Sequence, residues 1–249
     1  MDLKIKDVAE LLNVSETTIR RWLTEGKIPA YRLHHQYRFS RIEIENWMLS
    51  CRLQKGTGNF LPPDEHQIYP PIDEKDQKED AQYKKGMQQF SLYRAVHKGG
   101  ILFDSQSKTK EEIISKTMET VASNLSIDPH VMTELLLDRE KLMPTALNNG
   151  IAVPHTRDFL LKGPTDVIVI VFPEKPIEWG ALDENPVHTI FFLFACDDKR
   201  HLHLLAKLAH LSSNEEALEL MRSKPSNKEL FDYIKHWESG IARDRKSVV

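Results

Sequence analysis

Apolar residues recur along this chain in three regimes. Between residues 4 and 53 they fall at helical spacing: Val8, Leu11 and Leu12 line one face, Asn13-Val14 interrupts the run, and Ile19, Trp22 and Leu23 line a second. Ser15 is placed to cap that second helix, and Gly26 with Lys27 to end it. Ala30-Tyr31-Arg32-Leu33, then His34-His35-Gln36, then Tyr37-Arg38-Phe39 predict a small hairpin. Ser40-Arg41-Ile42-Glu43 is a capping box that opens a third helix, with Ile44, Trp47 and Met48 turned toward the first two. From Lys55 to Asp80 the periodicity vanishes among Gly56, Gly58, Pro62-Pro63, Pro70-Pro71 and a charged run, which is linker composition. A helical stripe returns over 81–97, where Tyr83, Met87, Phe90, Tyr93 and Val96 lie three or four apart. That stripe packs on a domain or pairs with a second chain.

Beyond Gly99-Gly100 helical and uniformly apolar segments mix. Thr109-Lys110-Glu111-Glu112 opens a helix carrying Ile113, Ile114, Met118, Val121 and Leu125, and Asp128-Pro129 opens another through Val131, Leu135 and Leu136. Ile151-Ala152-Val153, Val167 to Phe172 and Thr189 to Cys196 read as strands. Runs this uniformly apolar belong in a sheet covered on both faces. Helices are expected at about 199–212, 215–222 and 227–237, the last two opened by Ser213-Asn214-Glu215-Glu216 and Ser226-Asn227-Lys228-Glu229. The expected architecture is an α/β C-terminal domain, a mixed sheet flanked by helices, preceded by a small, mainly α winged helix-turn-helix domain. The boundaries are 1–54 for the first domain, 55–96 for the linker, 97–240 for the second domain, and 241–249 for a tail.

Composition narrows the partners. A formal net charge of −3 excludes a generally basic nucleic-acid binder, so any DNA contact must be local. Two cysteines, Cys51 and Cys196, give no disulfide framework and no metal spacing, which fits a reducing, cytoplasmic setting; no segment reads as a membrane span. The outward positions expected on the second helix are Thr17, Thr18, Arg20 and Arg21, with Arg32 and Arg38 on the hairpin wing. Arginine bridges guanine N7 and O6, and short hydroxyls bond phosphates or base edges. Val8-Ala9-Glu10-Leu11-Leu12-Asn13-Val14-Ser15, Arg20-Arg21-Trp22, Gly26-Lys27-Ile28-Pro29-Ala30 and Arg38-Phe39 resemble the excisionase and MerR type of winged helix-turn-helix. DNA is the partner this resemblance implies. Residues 1–54 hold nine cationic and seven acidic side chains, a net of +2. One copy neutralises few phosphates, so useful affinity at physiological salt calls for a homodimer.

Candidate chemistry sits in two stretches of the second domain. In Asn149-Gly150-Ile151-Ala152-Val153-Pro154-His155-Thr156-Arg157, Gly150 permits a turn, a short strand follows, and Pro154 stops it. His155 is then held just past the strand, where its ring is expected to face water. In Asp197-Asp198-Lys199-Arg200-His201-Leu202-His203 a helix starts directly after a buried strand, which places His201 at the strand's carboxyl end, where open α/β sheets keep their sites. His201 and His203 point about 200° apart on a helix and cannot share one ion, so no metal is expected. No Gly-x-Ser-x-Gly is present to suggest a serine hydrolase.

Arg139-Glu140-Lys141-Leu142, Thr145, Asn149-Gly150-Ile151-Ala152-Val153-Pro154-His155 and His201-Leu202-His203-Leu204-Leu205-Ala206-Lys207-Leu208 together resemble enzyme IIA of the fructose/mannitol class of the bacterial phosphotransferase system, especially its nitrogen-regulatory branch, from about residue 97 to 238. The resemblance implies a phosphotransferase with a phosphohistidine intermediate: His155 accepts a phosphoryl group from HPr or its nitrogen-branch counterpart. His201 is the second active-site histidine, Arg139 and Arg157 lie near the phosphoryl group, and Thr145 supplies a small hydroxyl. It implies no cofactor. Met143-Pro144 and Asn148 depart from the family pattern beside that site. Three functions compete: a regulator that couples His155 phosphorylation to DNA binding and transcription, a phosphoryl carrier in a sugar-transport relay with a IIB-type partner, and a DNA-binding regulator built on an inactive IIA fold.

Overall fold

The computed structural model describes residues 2–12, 14–33, 36–51, 90–104, 106–156, 165–181 and 183–244. The N-terminal unit comprises β1 (Asp2–Leu3), α1 (Ile5–Leu12), α2 (Glu16–Thr24), β2 (Tyr31–Leu33), β3 (Gln36–Ser40) and α3 (Arg41–Cys51). Ser15 caps α2, its hydroxyl accepting the Thr18 N–H at 3.1 Å, and Gly26 at φ 65° lets the chain leave the helix. The strands form an antiparallel sheet in the order β1-β3-β2, which makes the wing. Val8, Ile19, Trp22, Phe39, Ile44 and Trp47 fill the small core, and Trp47 Nε1 donates to the Lys27 carbonyl at 2.5 Å.

The C-terminal unit runs α4 (Ser91–Gly99), β4 (Ile101–Asp104), α5 (Lys110–Leu125), α6 (Pro129–Leu142), β5 (Ala146–Leu147), β6 (Ile151–Ala152), β7 (Val167–Pro173), β8 (Thr189–Phe194), α7 (Asp198–Leu211), α8 (Glu215–Arg222) and α9 (Asn227–Asp244). Its sheet is mixed, in the order β4-β7-β8-β6-β5: β4 is parallel to β7 and β6 to β8, while β7/β8 and β5/β6 are antiparallel. The two-residue period of the pleat explains why the central strands are apolar throughout. Val167, Val169 and Val171 join Ile190, Phe192 and Phe194 under α5 and α6, whereas Ile168, Ile170 and Phe172 join Phe191 and Leu193 on the other face with residues of α4, α7, α8 and α9.

Local signals and structure part in a few places. Phe90 sits at φ 60°, which no continuing helix allows, so α4 begins at Ser91; Tyr83, Met87 and the remainder of the expected 81–97 stripe before Phe90 lie outside the described residues. Strand β8 ends at Phe194, and Cys196 follows it. The short strands β1, β4 and β5 are not among the expected elements: β1 and β5 are two residues each, and the apolar run of β4 is only Ile101-Leu102-Phe103. The Ser226 box is formed in full, since Glu229 accepts the Ser226 N–H at 2.9 Å while its own N–H reaches the Ser226 hydroxyl at 3.4 Å. Asn214 rather than Ser213 caps α8, its side chain accepting from the Ala217 N–H.

The two units share one continuous apolar cluster, because α1 and α3 both pack on α7. Arg41 ion-pairs with Asp198 across this junction, and Lys199 approaches Glu10 at 3.3 Å. Among the described residues no helix is long and apolar enough to cross a membrane.

Candidate functional site

The turn before His155 is built as the residue types require. Asn149 and Gly150 both have positive φ, 68° and 76°. A Cβ on Gly150 would come within 2.9 Å of the Pro186 carbonyl and 2.6 Å of the His188 ring, so only glycine fits without displacement. The Asn149 N–H donates to Asp183 at 2.8 Å, and His188 Nε2 lies 3.0 Å from the Asn149 carbonyl, which pins the turn from a neighbouring loop. Strand β6 then runs parallel to β8, and past Pro154 the chain still touches it: the Leu193 N–H donates to the Pro154 carbonyl at 3.0 Å.

His155 is thereby fixed in both position and tautomer. Its Nδ1 lies 2.7 Å from the Val153 carbonyl, which can only accept, so Nδ1 carries the proton and donates. Nε2 faces the other way. The His201 ring, from the first turn of α7, stands edge-on to it with centroids 5.0 Å apart and planes at 64°. Asp197 caps that helix through the Arg200 N–H, which fixes the turn that presents His201. Burial, then the neighbouring His155, Arg41 and Arg139 charges, hold His201 well below the usual histidine range, against the opposing pull of Glu45.

The expectation that His155 faces water is overturned. Its ring is fully buried, and the covering group comes from the other unit: Glu45, on α3 of the N-terminal unit, places Oε1 2.9 Å from His155 Nε2. The same oxygen accepts from Arg139 Nη2 at 3.2 Å, and Oε2 lies 4.0 Å from His201 Nε2. Glu45, Arg139, His155 and His201 are all buried together. With Nδ1 already donating, a proton must lie between Nε2 and the Glu45 carboxylate, since a lone pair and an anionic oxygen repel at this distance.

The remaining expected site residues divide. Arg139 is brought to His155 by α6, and its Nη1 donates to the Met143 carbonyl at 2.9 Å, so the departing Met143-Pro144 pair orients the guanidinium through its backbone. Thr145 is fully buried and directed at Glu140: both its N–H and its hydroxyl donate to that carboxylate, which also accepts from Trp179 Nε1 at 3.0 Å. Burial raises the Glu140 carboxyl above the usual carboxylate range, although the Thr145 bonds oppose the shift. Arg157 lies outside the described residues. On the helix-turn-helix, Thr17, Arg20 and Arg21 are exposed on α2 and Arg32 on the wing, where it stacks over Tyr37 at 5.4 Å. Arg38 is half-buried and donates to the Tyr37 carbonyl and Gln36 side chain. Thr18, expected outward, is buried instead. Its hydroxyl bonds the Ser15 hydroxyl at 2.9 Å, which makes it part of the helix cap.

No sequence signal assigns a role to Glu45, Glu140 or Trp179, although Glu140 lies within the Arg139-Glu140-Lys141-Leu142 stretch. Arg41 and Glu45 stand four apart and so share one helix face, but an i,i+4 pair of opposite charge ordinarily signals an intrahelical pair rather than two contacts to another domain. Atoms of Glu45, His155 and His201 lie within 4.8 Å of one another, a spacing that a divalent ion can also use. The Arg139 guanidinium against the same Glu45 oxygen makes this an anion-holding cluster, because a second cation there would be repelled.

Residues 95–237 match the family model described as "Phosphoenolpyruvate-dependent sugar phosphotransferase system, EIIA 2". The chain belongs to this family. Residues 3–52 of this EIIA protein match a second model, "Helix-turn-helix domain". It is 38% identical over 134 residues to the nitrogen regulatory protein of Escherichia coli (strain K12), a stretch that is 52% of this chain and 78% of that one. With the nitrogen regulatory protein of Pseudomonas aeruginosa it shares 28% identity over 152 residues, 60% of this chain and 97% of that one. The crystal structure of nitrogen regulatory protein IIA-Ntr from Neisseria meningitidis superposes with a TM-score of 0.50 at 26% identity, covering 57% of this chain and 94% of that one. The EIIA protein is thus a IIA-type nitrogen-regulatory-like domain fused to a helix-turn-helix.

Proposed function

We propose that His155 accepts a phosphoryl group from an HPr-type or nitrogen-branch phosphocarrier, and that its phosphorylation state is passed to DNA binding through the winged helix-turn-helix. The observation that carries this reading is the fixed ring: the Val153 carbonyl holds Nδ1–H, so Nε2 alone is left to react, on the side where Glu45 brings the Arg139 guanidinium and where the His201 ring stands. Once Nε2 is free of its proton, its lone pair forms the N–P bond while the donor's P–N bond breaks and that electron pair returns to the donor imidazole. Arg139 lies where it can take charge from the equatorial oxygens, and His201 stands beside it as a neutral partner. Glu140 and Thr145 stabilise the loop behind Arg139 and the 145–153 turn, since the Val153 N–H donates to the Thr145 carbonyl at 3.0 Å.

The regulatory part rests on the joining of a IIA domain to a helix-turn-helix with exposed Arg20, Arg21 and Arg32, and on relatives that carry the name nitrogen regulatory protein. The small charge excess of one module makes the DNA-binding species a dimer. The test is incubation with phosphoenolpyruvate, enzyme I and HPr-type carriers. An acid-labile, base-stable mass gain of one phosphate that is lost in His155→Ala supports the reading; no gain with any donor overturns it. DNA retention at physiological salt, measured with and without the phosphate, tests the coupling.

A further inference from the structure

The phosphoryl pocket of this chain is occupied by a part of the chain itself. We propose that Glu45 is an internal stand-in for the phosphoryl group, so that docking of the helix-turn-helix on the IIA domain and phosphorylation of His155 exclude each other. The inference deepens the proposed function, on which its phosphoryl half rests.

Three observations support it. First, the Glu45 carboxylate meets the three groups that an N-linked phosphoryl group would meet: Nε2 of His155 at 2.9 Å, Nη2 of Arg139 at 3.2 Å and Nε2 of His201 at 4.0 Å. A carboxylate and a phosphoryl group ask for the same partners, cationic and N–H donors, and one pocket cannot hold both anions. Second, the docked ring cannot react. His155 is fully buried, and the proton shared with Glu45 occupies the lone pair that must attack phosphorus. The donor protein reaches Nε2 only after α3 lifts, at which point that proton leaves with the carboxylate or passes to water.

Third, the contact is built for docking and spares the DNA face. Arg41 and Glu45, one turn apart on α3, both reach into the IIA domain, the first to Asp198 and the second to Arg139 and His155. Meanwhile Arg20 and Arg21 on α2 remain exposed. Phosphorylation therefore changes where the module is held rather than uncovering its recognition helix. By linkage, docking lowers the equilibrium extent of phosphorylation by the same factor that phosphate on His155 weakens docking, and the closed pocket separately slows the transfer.

The test uses the full chain and two readouts. Diethyl pyrocarbonate acylates accessible imidazole nitrogens, and peptide mass spectrometry separates His155 from exposed His130 and His236, which serve as internal controls. In wild type His155 should react far more slowly than the controls. In Glu45→Ala and Glu45→Gln it should react faster by about 5- to 150-fold, the range of ordinary site coupling, with the controls unchanged. Initial phosphorylation by enzyme I and an HPr-type carrier should accelerate in the same order. If His155 of wild type reacts like the controls, or the variants leave its acylation unchanged, the internal occupant is overturned. If acylation accelerates while phosphorylation, measurable in wild type, does not, the exclusion is overturned. If acylation accelerates but no protein accepts phosphate, the pocket is occupied as described and the phosphoryl-acceptor reading is what falls.

Discussion

Glu45 and Arg139, 94 positions apart, form a buried ion pair of 3.2 Å across the boundary between a helix-turn-helix and a IIA domain. Removing one partner of such a pair ordinarily costs about 3–5 kcal/mol, because the other charge stays buried without compensation. Here the chain has an alternative, since lifting α3 returns Glu45 to water. Arg139→Gln should therefore lose only as much stability as docking supplies. Its calorimetric unfolding should split from one cooperative transition into two, with the smaller domain melting first. A single transition lowered as a whole would mean that the module cannot leave.

Gly150 supports a second expectation. At φ 76°, with the Pro186 carbonyl 2.9 Å from where a Cβ would lie, alanine is both strained and crowded. Gly150→Ala should destabilise the IIA domain by more than about 1 kcal/mol in urea unfolding, and should slow phosphorylation further by shifting the strand that carries His155. Gly240, where a Cβ meets nothing within 4 Å, is the control. Gly240→Ala in α9 should be neutral or slightly stabilising.

Buried histidines set the acid response. Burial lowers the proton affinity of His188, and of His201 strongly, from the usual value near 6.5. In the unfolded chain both rings take up protons as pH falls through 6.5, whereas in the folded chain they do so only at lower pH. The unfolded state then binds more protons, so stability falls as pH drops below 6.5 and is unaffected by these groups above it. For fully buried His201 the limiting slope is about 1.4 kcal/mol per pH unit. Glu140 acts with the opposite sign: its raised carboxyl binds a proton in the folded chain first, which returns stability as pH falls toward 4.5. Urea midpoints from pH 8 to 5 should decline below 6.5, and less steeply in His188→Gln.

Much of this was legible in the chain, and what was not has a common cause. Strands β7 and β8 announced a doubly covered sheet because every position is apolar, and the Asn149 to His155 run announced its turn through Gly150 and its stop through Pro154. These signals are local: each follows from what one residue type permits its own backbone. Strand β5 is only Ala146-Leu147 and is held by its neighbour, and the Ile101-Leu102-Phe103 run of β4 is too short for its periodicity to distinguish a strand from a turn of helix. The cover on His155 depends on a contact spanning 110 positions, and no periodicity in α3 distinguishes a carboxylate meant for solvent from one meant for another domain. Thr18 failed in a different way. Its place on the helix suggested an outward side chain, but the Ser15 hydroxyl was within reach and the cap won.

That contrast between Thr18 and its neighbours gives a test of the proposed DNA-binding face. Arg21 is exposed on α2, and Arg20 is exposed with only a loose 3.6 Å pair to Glu16. If both meet phosphates, Arg20→Ala and Arg21→Ala should each weaken binding to all sequences alike and flatten the slope of log affinity against log salt by about one. If either reads guanine, its loss should instead cost about 1–3 kcal/mol at one base position and relax the choice of base there. Thr18→Ala should leave the salt slope and the base preference untouched while lowering the melting temperature of the module slightly, since it loses only the hydroxyl bond to Ser15 and keeps the N–H that the Ser15 cap accepts. Fluorescence anisotropy with a selected duplex at several salt concentrations separates these outcomes. A Thr18→Ala variant with altered base preference would place that side chain back on the groove and would require the cap geometry to be revised.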